Sequence, residues 1–193
     1  MASASAARSP RQPVSSEEDL LILVDADDRE IGLLDKGRCH DGEGTLHRAF
    51  SLFVFNPKGE LLLQQRDASK RLWGGYWSNS CCSHPRAGES MDLAIHRRLT
   101  EELGITAALR FIYKFEYHAR FAGIGSEHEL CWVYVGETRD EPSPHPEEIA
   151  AWRWLSRSKL DAELAEQADR FTPWFRMEWA ALCSTYSQQL PAA

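Results

Sequence analysis

Residues 89–105 read ESMDLAIHRRLTEELGI, and their spacing predicts one helix from Ser90 to Leu103. Met91, Ala94, Ile95, Arg98, Leu99 and Glu102 recur at i, i+3 and i+4, so they share a face. Ser90 supplies an N-cap side chain and Gly104 a C-terminal stop. Read for charge alone, the stretch is a helix with Arg97–Glu101 and Arg98–Glu102 pairs at i, i+4. Those pairs run in the less favourable order and contribute at most a few tenths of a kcal/mol.

Working outward, LLILV from Leu20, the turn DADDR and EIGLL predict a β-hairpin that ends at Lys36. A polar stretch, GRCHDGEGTLH, leads to AFSLFVF, the turn NPKG and ELLLQQR, which read as a second hairpin. DASKRLWGGYWSNSCCSHPRAG reads as one long loop, and loops of that length inside a compact domain tend to be functional. Beyond the helix, ALRFIYKFEYHARF and HELCWVYVGE read as strands, PSPHP breaks the chain, and EEIAAWRWLS reads as a further strand. KLDAELAEQA and PWFRMEWAALCSTY read as helices, the second started by Thr172 before Pro173. No internal repeat is visible. The order predicts an α/β (α+β) fold, a mixed sheet between helices with an added N-terminal hairpin. Residues 19–187 are expected to form one domain, 1–18 a disordered tail and 188–193 a flexible C-terminus. The tail is Ala-, Ser-, Arg- and Pro-rich and lacks the apolar core of a secretory signal, which favours disorder over a transit peptide.

The chain has 193 residues, 43% of them hydrophobic, enough to bury a core. Its formal charge of -7 speaks against wholesale nucleic-acid binding, so any anionic ligand must meet a local basic cluster. Its apolar runs are too short to span a bilayer. Five cysteines at irregular spacing (Cys39, Cys81, Cys82, Cys131 and Cys183) make a poor disulfide framework. They imply a reducing, cytoplasmic setting. Without a CxxC pair, a four-cysteine zinc site is excluded.

SNSCCSHP, Ser78 to Pro85, places two thiols beside His84. His40 and His47 flank a Gly-rich stretch, and Glu127 and Glu129 sit two apart on a strand, on one face. Three neutral imidazoles and two carboxylates suit an octahedral divalent ion better than a tetrahedral structural zinc. Singly, each histidine reads as a surface or satisfied buried residue and the glutamates as solvated. The set makes a site only if the fold brings it together.

Glu89, Arg97, Leu99, Glu101, Glu102, Gly104 and Ile105 fit the Nudix-box pattern GX5EX7REUXEEXGU. Ser83 stands where its first glycine belongs, and Arg98 where the first glutamate of REUXEE belongs. In that family the helix glutamates carry divalent metal onto a diphosphate. An arginine in their midst weakens the metal cluster and adds a phosphate-binding cation, which points away from hydrolysis. With TLHRAFS, RDASKRLWGGYWSNSCCSHP, FEYHARF, EHELCWV and FTPWF, the chain from about Leu20 to Trp174 resembles the type I isopentenyl-diphosphate isomerases, Nudix-fold enzymes of isoprenoid synthesis.

The resemblance implies a 1,3-allylic shift. A proton is added to the terminal methylene of isopentenyl diphosphate, and another leaves carbon 2 of a tertiary cation-like species. Cys82, not Cys81, would stand on one side of the substrate. Glu129, assisted by Tyr117, would stand on the other. His40, His47, His84, Glu127 and Glu129 would hold zinc or manganese. Glu102 and the backbone carbonyl of Cys82 would hold a Mg²⁺ that bridges to the diphosphate. Lys36, Arg66, Lys70 and Arg98 would grip the diphosphate, and the Trp174 ring would face the cation. The implied partner is this small molecule alone, with no nucleic acid or membrane, and the chain acting as a monomer. Two other readings compete: a Nudix pyrophosphohydrolase of a nucleotide-like diphosphate, and a non-catalytic diphosphate-binding module. Arg98, Cys82 and His84 speak against the first, and the presence of Cys82 and Glu129 against the second.

Overall fold

The computed structural model describes residues 14–191. Residues 1–13 of the expected tail and 192–193 of the expected C-terminal segment lie outside the described residues. Residues 14–18 lie against the body of the fold. The Gly37 N–H donates to Glu17 O (2.9 Å) and Arg98 Nη1 to Val14 O (2.8 Å). Near the other end, both Arg110 terminal nitrogens donate to Gln189 oxygens (2.6 Å each).

One nine-stranded mixed sheet organises the described chain. The N-terminal hairpin forms as expected, from β1 (Leu20–Val24) and β2 (Glu30–Asp35). Asp35 then caps a single helical turn, α1 (Lys36–Cys39), which the sequence reading left inside a polar stretch. The centre of the sheet is β3 (His47–Phe55), buried along nearly all its length. Its register partner is β8 (Gly125–Glu137), which runs parallel to it from His47↔Glu129 to Phe55↔Glu137. β7 (Ala108–Phe121) lies antiparallel on the far edge of β8.

The second hairpin is a correction. β3 and β4 (Leu61–Arg66) pair only at Phe55↔Leu61. Beyond that pair the sheet forks: β3 takes β6 (Cys81–Ser83), while β4 takes β5 (Trp77–Ser78) and β9 (Ile149–Leu155). The long segment read as a loop therefore contains two short strands. Ser80, between them, bridges the fork. Its hydroxyl accepts from Val54 N–H (2.8 Å) and donates to Leu62 O (2.7 Å), replacing the missing ladder bonds.

Helix α2 (Met91–Leu103) has Ser90 as N-cap, its Oγ accepting from Leu93 N–H, and Gly104 at φ 66° as its left-handed end. A Cβ at Gly104 would also lie 3.2 Å from Ser143 O. The PSPHP breaker caps the helix. Ser143 N–H donates to Leu103 O and His145 N–H to Glu102 O, 2.7 Å each. Ala94, Ile95, Leu99 and Leu103 of α2 pack with Phe50, Leu52, Val54 and Cys81 on one face of the sheet. The other face carries Phe53, Tyr117, Cys131 and Val133 against α3 (Arg157–Gln167) and α4 (Pro173–Ser184), through Leu160, Trp174, Phe175 and Trp179. The result is the expected mixed sheet between helices. Thr172 stands at the N-cap of α4, but its hydroxyl bonds Ser78 Oγ (2.9 Å) instead of the helix amides.

Candidate active site

Strand alternation decides which thiol is available. Cys82 pairs with Ser51, and Cys81 with Leu52. Leu52 and Cys81 point into the core beneath α2, whereas Ser51 and Cys82 point to the face shared with α4. Two residues on from Cys82, His84 returns to that same face. Across β3, Glu129 pairs with His47 and Tyr117 with Glu129, so these three side chains also rise from it. A cavity opens here, lined by Cys82, His84, Tyr117, Glu129 and Trp174.

At the inner corner, ligand atoms of His40, His47, His84, Glu127 and Glu129 all lie within 4.8 Å of one another. α1 delivers His40, and β3, β6 and β8 deliver the rest. Gly125 allows the first of these approaches, because a Cβ there would lie 2.3 Å from His40 O. His40 Nδ1 donates to Lys36 O and His47 Nδ1 to Thr45 O, 2.7 Å each. Those carbonyls only accept, so both rings turn an Nε2 lone pair inward. Buried His40 Nε2 lies 2.8 Å from Glu127 Oε2, and His47 Nε2 lies 3.7 Å from Glu129 Oε1. Imidazole nitrogens and carboxylate oxygens thus converge on one point, the donor set a divalent ion takes. The five groups are compatible with a divalent ion. Burial pulls the His84 imidazole down to about 4, leaving it neutral as a ligand must be. Burial opposes charge on Glu129 too, but the neighbouring His47 and His84 imidazoles outweigh it and hold the carboxyl well below its usual range.

Cys82 Sγ lines the same cavity. It donates to Asn79 Oδ1 (2.8 Å) and accepts from Trp174 Nε1 (3.1 Å). Burial, reinforced by Glu178, pushes this thiol up to about 12, so it keeps its proton at neutral pH. In that cavity the Tyr117 hydroxyl donates to Glu129 Oε2 (2.6 Å) and His84 lies 2.9 Å from Glu129 Oε1. Trp174 packs edge-on against Trp73, and the Arg66 guanidinium lies 5.4 Å from the Trp174 ring centroid.

The cavity mouth gathers Lys36, Arg66, Lys70 and Arg98. Three of these cations are already engaged, while Arg66 donates only to Leu72 O (3.1 Å). Lys36 reaches Ser15 Oγ (2.7 Å), Lys70 pairs with Glu148, and Arg98 pairs with Glu102 and lies 3.6 Å from Glu148. Burial would lower the Arg98 guanidinium, but Glu102 and Glu148 hold it above the ordinary arginine value. The other box carboxylates are engaged as well. Glu89 accepts from Arg97 Nε (2.6 Å) and Nη2 (2.7 Å), and Glu101 from Arg97 Nη1 (2.9 Å). Arginines thus hold the glutamates of α2, and among the described residues the cluster able to hold an ion lies off that helix. Glu102 and Cys82 line the same cavity but stand outside the five-group cluster.

The residues expected to act on the substrate, grip its diphosphate or hold metal converge on this cavity or its inner corner, whereas Cys81 and the box residues Glu89, Arg97 and Glu101 do not line it. The sequence reading missed Glu148, Asn79, Ser51 and Glu178. Glu148 gains its place only from the capping of α2 by the segment before it. Glu178 had a signal: it stands four residues after Trp174 and three after Phe175, a charged residue on an apolar helix stripe.

The NUDIX domain family matches residues 45–175. The chain is 41% identical over 172 residues to an isopentenyl-diphosphate Delta-isomerase 1 of Photorhabdus laumondii, covering 88% of this chain and 98% of that one. It is 48% identical over 158 residues to an isopentenyl-diphosphate Delta-isomerase of Burkholderia multivorans, covering 82% and 89%. Among solved structures, a Deinococcus radiodurans protein gives a TM-score of 0.63 at 24% identity over 77% of this chain and 90% of its own. A MutT NUDIX hydrolase of Burkholderia pseudomallei gives 0.54 at 21% identity over 70% and 97%. Likeness at those identities speaks to the fold alone.

Proposed function

The chain belongs to the isopentenyl-diphosphate Delta-isomerase family of NUDIX-domain proteins, and from that premise we propose that it converts isopentenyl diphosphate to dimethylallyl diphosphate by protonation and deprotonation. The observation that carries the reading is the sharing of one cavity by the Cys82 thiol and the Glu129–Tyr117 pair, with Trp174 between them and cations at the mouth.

An unactivated alkene is a very weak base, so the reaction needs a close acid, a second group to take a proton, and exclusion of water. Cys82 is the proton-bearing group of one wall. Its thiol form is held by Asn79 Oδ1, and its sulfur after proton loss by Trp174 N–H. Glu129 and Tyr117 form the opposite wall, with the phenol proton already shared with the carboxylate. A proton placed on the terminal methylene by one wall and one taken from carbon 2 by the other accomplish the shift. The aromatic faces of Trp174 and Tyr117 lend negative potential to the cation-like intermediate, worth ~2 kcal/mol for a desolvated pair.

His40, His47, His84, Glu127 and Glu129 would hold Zn²⁺ or Mn²⁺, and Glu102 with the Cys82 carbonyl a Mg²⁺. A bound dication makes a linked carboxyl or phenol more acidic and neutralises phosphate charge. Lys36, Arg66, Lys70 and Arg98 are the residues we assign to the diphosphate. The substrate is the sole partner this reading requires, with the chain acting as a monomer in the cytoplasm.

Incubation with isopentenyl diphosphate in heavy water tests the proposal. Deuterium is expected in the dimethylallyl product, and not with Cys82→Ala. Release of phosphate without isomerised product would replace this reading by the hydrolase one.

A further inference from the structure

Among the described residues three other than glycine take a positive φ, Asp28, Trp73 and Ala122, and of these Trp73 (48°) is the bulky one. A large side chain crowds its own backbone in that region, which is why glycine usually fills it. Two glycines follow directly, Gly74 and Gly75. Gly74 answers a need for space, since a Cβ there would lie 2.7 Å from Ala68 O and 2.9 Å from Lys70 O. The loop is closed at its neck by Arg66 N–H to Tyr76 O (2.9 Å) and Gly75 N–H to Arg66 O (3.0 Å). An indole at position 73 is thus held in a disfavoured conformation by the loop around it, and a residue so held beside a cavity points to a task.

The Trp73 ring is 4% exposed. On one side it tilts against Phe121, at the end of β7, with centroids 4.9 Å apart. It also meets Trp174 at 87° with centroids 5.2 Å apart, the edge-to-face contact that aromatic pairs prefer. Trp73 does not line the cavity, whereas Trp174 does. The Trp174 indole has one hydrogen bond, from Nε1 to Cys82 Sγ (3.1 Å). One such bond pins a corner of the ring and leaves its plane free to tilt about that point. Tyr117, the other aromatic neighbour, is farther away, at 6.2 Å.

We propose that Trp73 is a positioning residue that fixes the plane of the Trp174 indole, so that the face of that ring meets the cation-like intermediate. An aromatic face attracts positive charge and the edge repels it, so a tilt would reverse the effect. The inference rests on the isomerase reading, because a reaction that passes through a cation is what needs the ring in a set direction.

The test compares wild type with Trp73→Phe, Trp73→Leu, Trp73→Gly, Trp174→Leu and the Trp73→Leu/Trp174→Leu double variant. It reads kcat and KM for isopentenyl diphosphate, and Kd by calorimetry for two inert diphosphates of matched shape. One is isopentyl diphosphate, and the other carries a protonated dimethylamino group in place of its branching carbon. Trp73→Leu and Trp73→Gly are each expected to lower kcat about tenfold with KM unchanged, and to weaken the ammonium compound about tenfold. Isopentyl diphosphate should stay within about twofold, because a neutral tail does not sense the ring's charge distribution. Trp73→Phe keeps an aromatic prop and should stay within about threefold of wild type in all readings. The double variant should match Trp174→Leu, since Trp73 acts only through that ring. A merely structural Trp73 would leave the two diphosphates equally affected. Equal weakening of both, wild-type kcat in Trp73→Leu, or a double variant well below Trp174→Leu would overturn the inference. If Trp73→Leu does not fold, Trp73→Gly, freed of the backbone clash, decides by the same readings. If wild type itself makes no dimethylallyl product, the function proposed above fails, and the two Kd values alone decide whether Trp73 turns that ring towards positive charge.

Discussion

At the inner corner of the cavity, three imidazoles and two carboxylates turn their ligand atoms towards one another, all within 4.8 Å. At the mouth, Lys36, Lys70 and Arg98 are all engaged by oxygens of the chain itself. The corner is held from behind, by main-chain carbonyls on the far ring nitrogens of His40 and His47, so a dication can complete it without rearranging the backbone. The mouth stores its positive charge as ion pairs. Burying Arg98 with Glu102 and Glu148 avoids an isolated charge in the absence of ligand. An anion that enters must take over contacts that Glu148, Ser15 and Val14 now make. One region gains partners on binding and the other exchanges them, so damage to the first should appear in turnover and damage to the second in affinity.

The sharpest break would come at the walls. Cys82→Ala and Glu129→Gln are each expected to lower kcat about 10³-fold or more, measured as dimethylallyl diphosphate formed per second. Next comes the corner. Chelation should remove activity and a returned divalent ion restore it, and His47→Gln should weaken the ion about 100-fold in a competition titration. Unchanged turnover in a rigorously metal-free sample would dissolve the contrast. At the mouth, Arg98→Gln is expected to raise KM about tenfold, while Glu148→Gln, which frees Lys70 and Arg98, should lower KM a few fold. A higher KM in Glu148→Gln would make that carboxylate part of the binding set.

Glu178 supplies the uncompensated counterpart to the paired carboxylates of the mouth. Its folded value of about 8 stands above the ordinary 4.5. The folded chain therefore holds a proton that the unfolded chain releases across that interval, and stability falls as pH rises through it. Glu178→Gln should lose this slope, gaining roughly 3–5 kcal/mol on wild type between the two ends of the window, as read from denaturant unfolding. Parallel stability curves would show that the carboxyl is not neutral in the fold. Cys81→Ala should have the smallest effect, leaving kcat within about twofold and costing about 1 kcal/mol for a shallow cavity under α2.

Much of this was legible in the chain. The caps and periodicity of α2, the first hairpin and the one-face placement of Glu127 and Glu129 all rest on local rules, and they appear as read. The partners of β3 could not be read locally. AFSLFVF is apolar on both faces, which marks a central strand without saying which strands flank it. β5 and β6 span two and three residues, too short to show any period. Yet they decide that Cys82, and not its neighbour, faces the cavity. Glu148 follows a proline-rich breaker, and nothing in its own sequence says that this segment closes over the end of α2.

The β3–β8 ladder makes register neighbours of His47 and Glu129, which lie about eighty residues apart in sequence. Contacts that span so much chain form late, after the entropy of a large loop has been lost. No early folding intermediate can then offer both candidate ligands to an ion, so any metal uptake at this cluster should report the last cooperative step of folding instead of seeding the first.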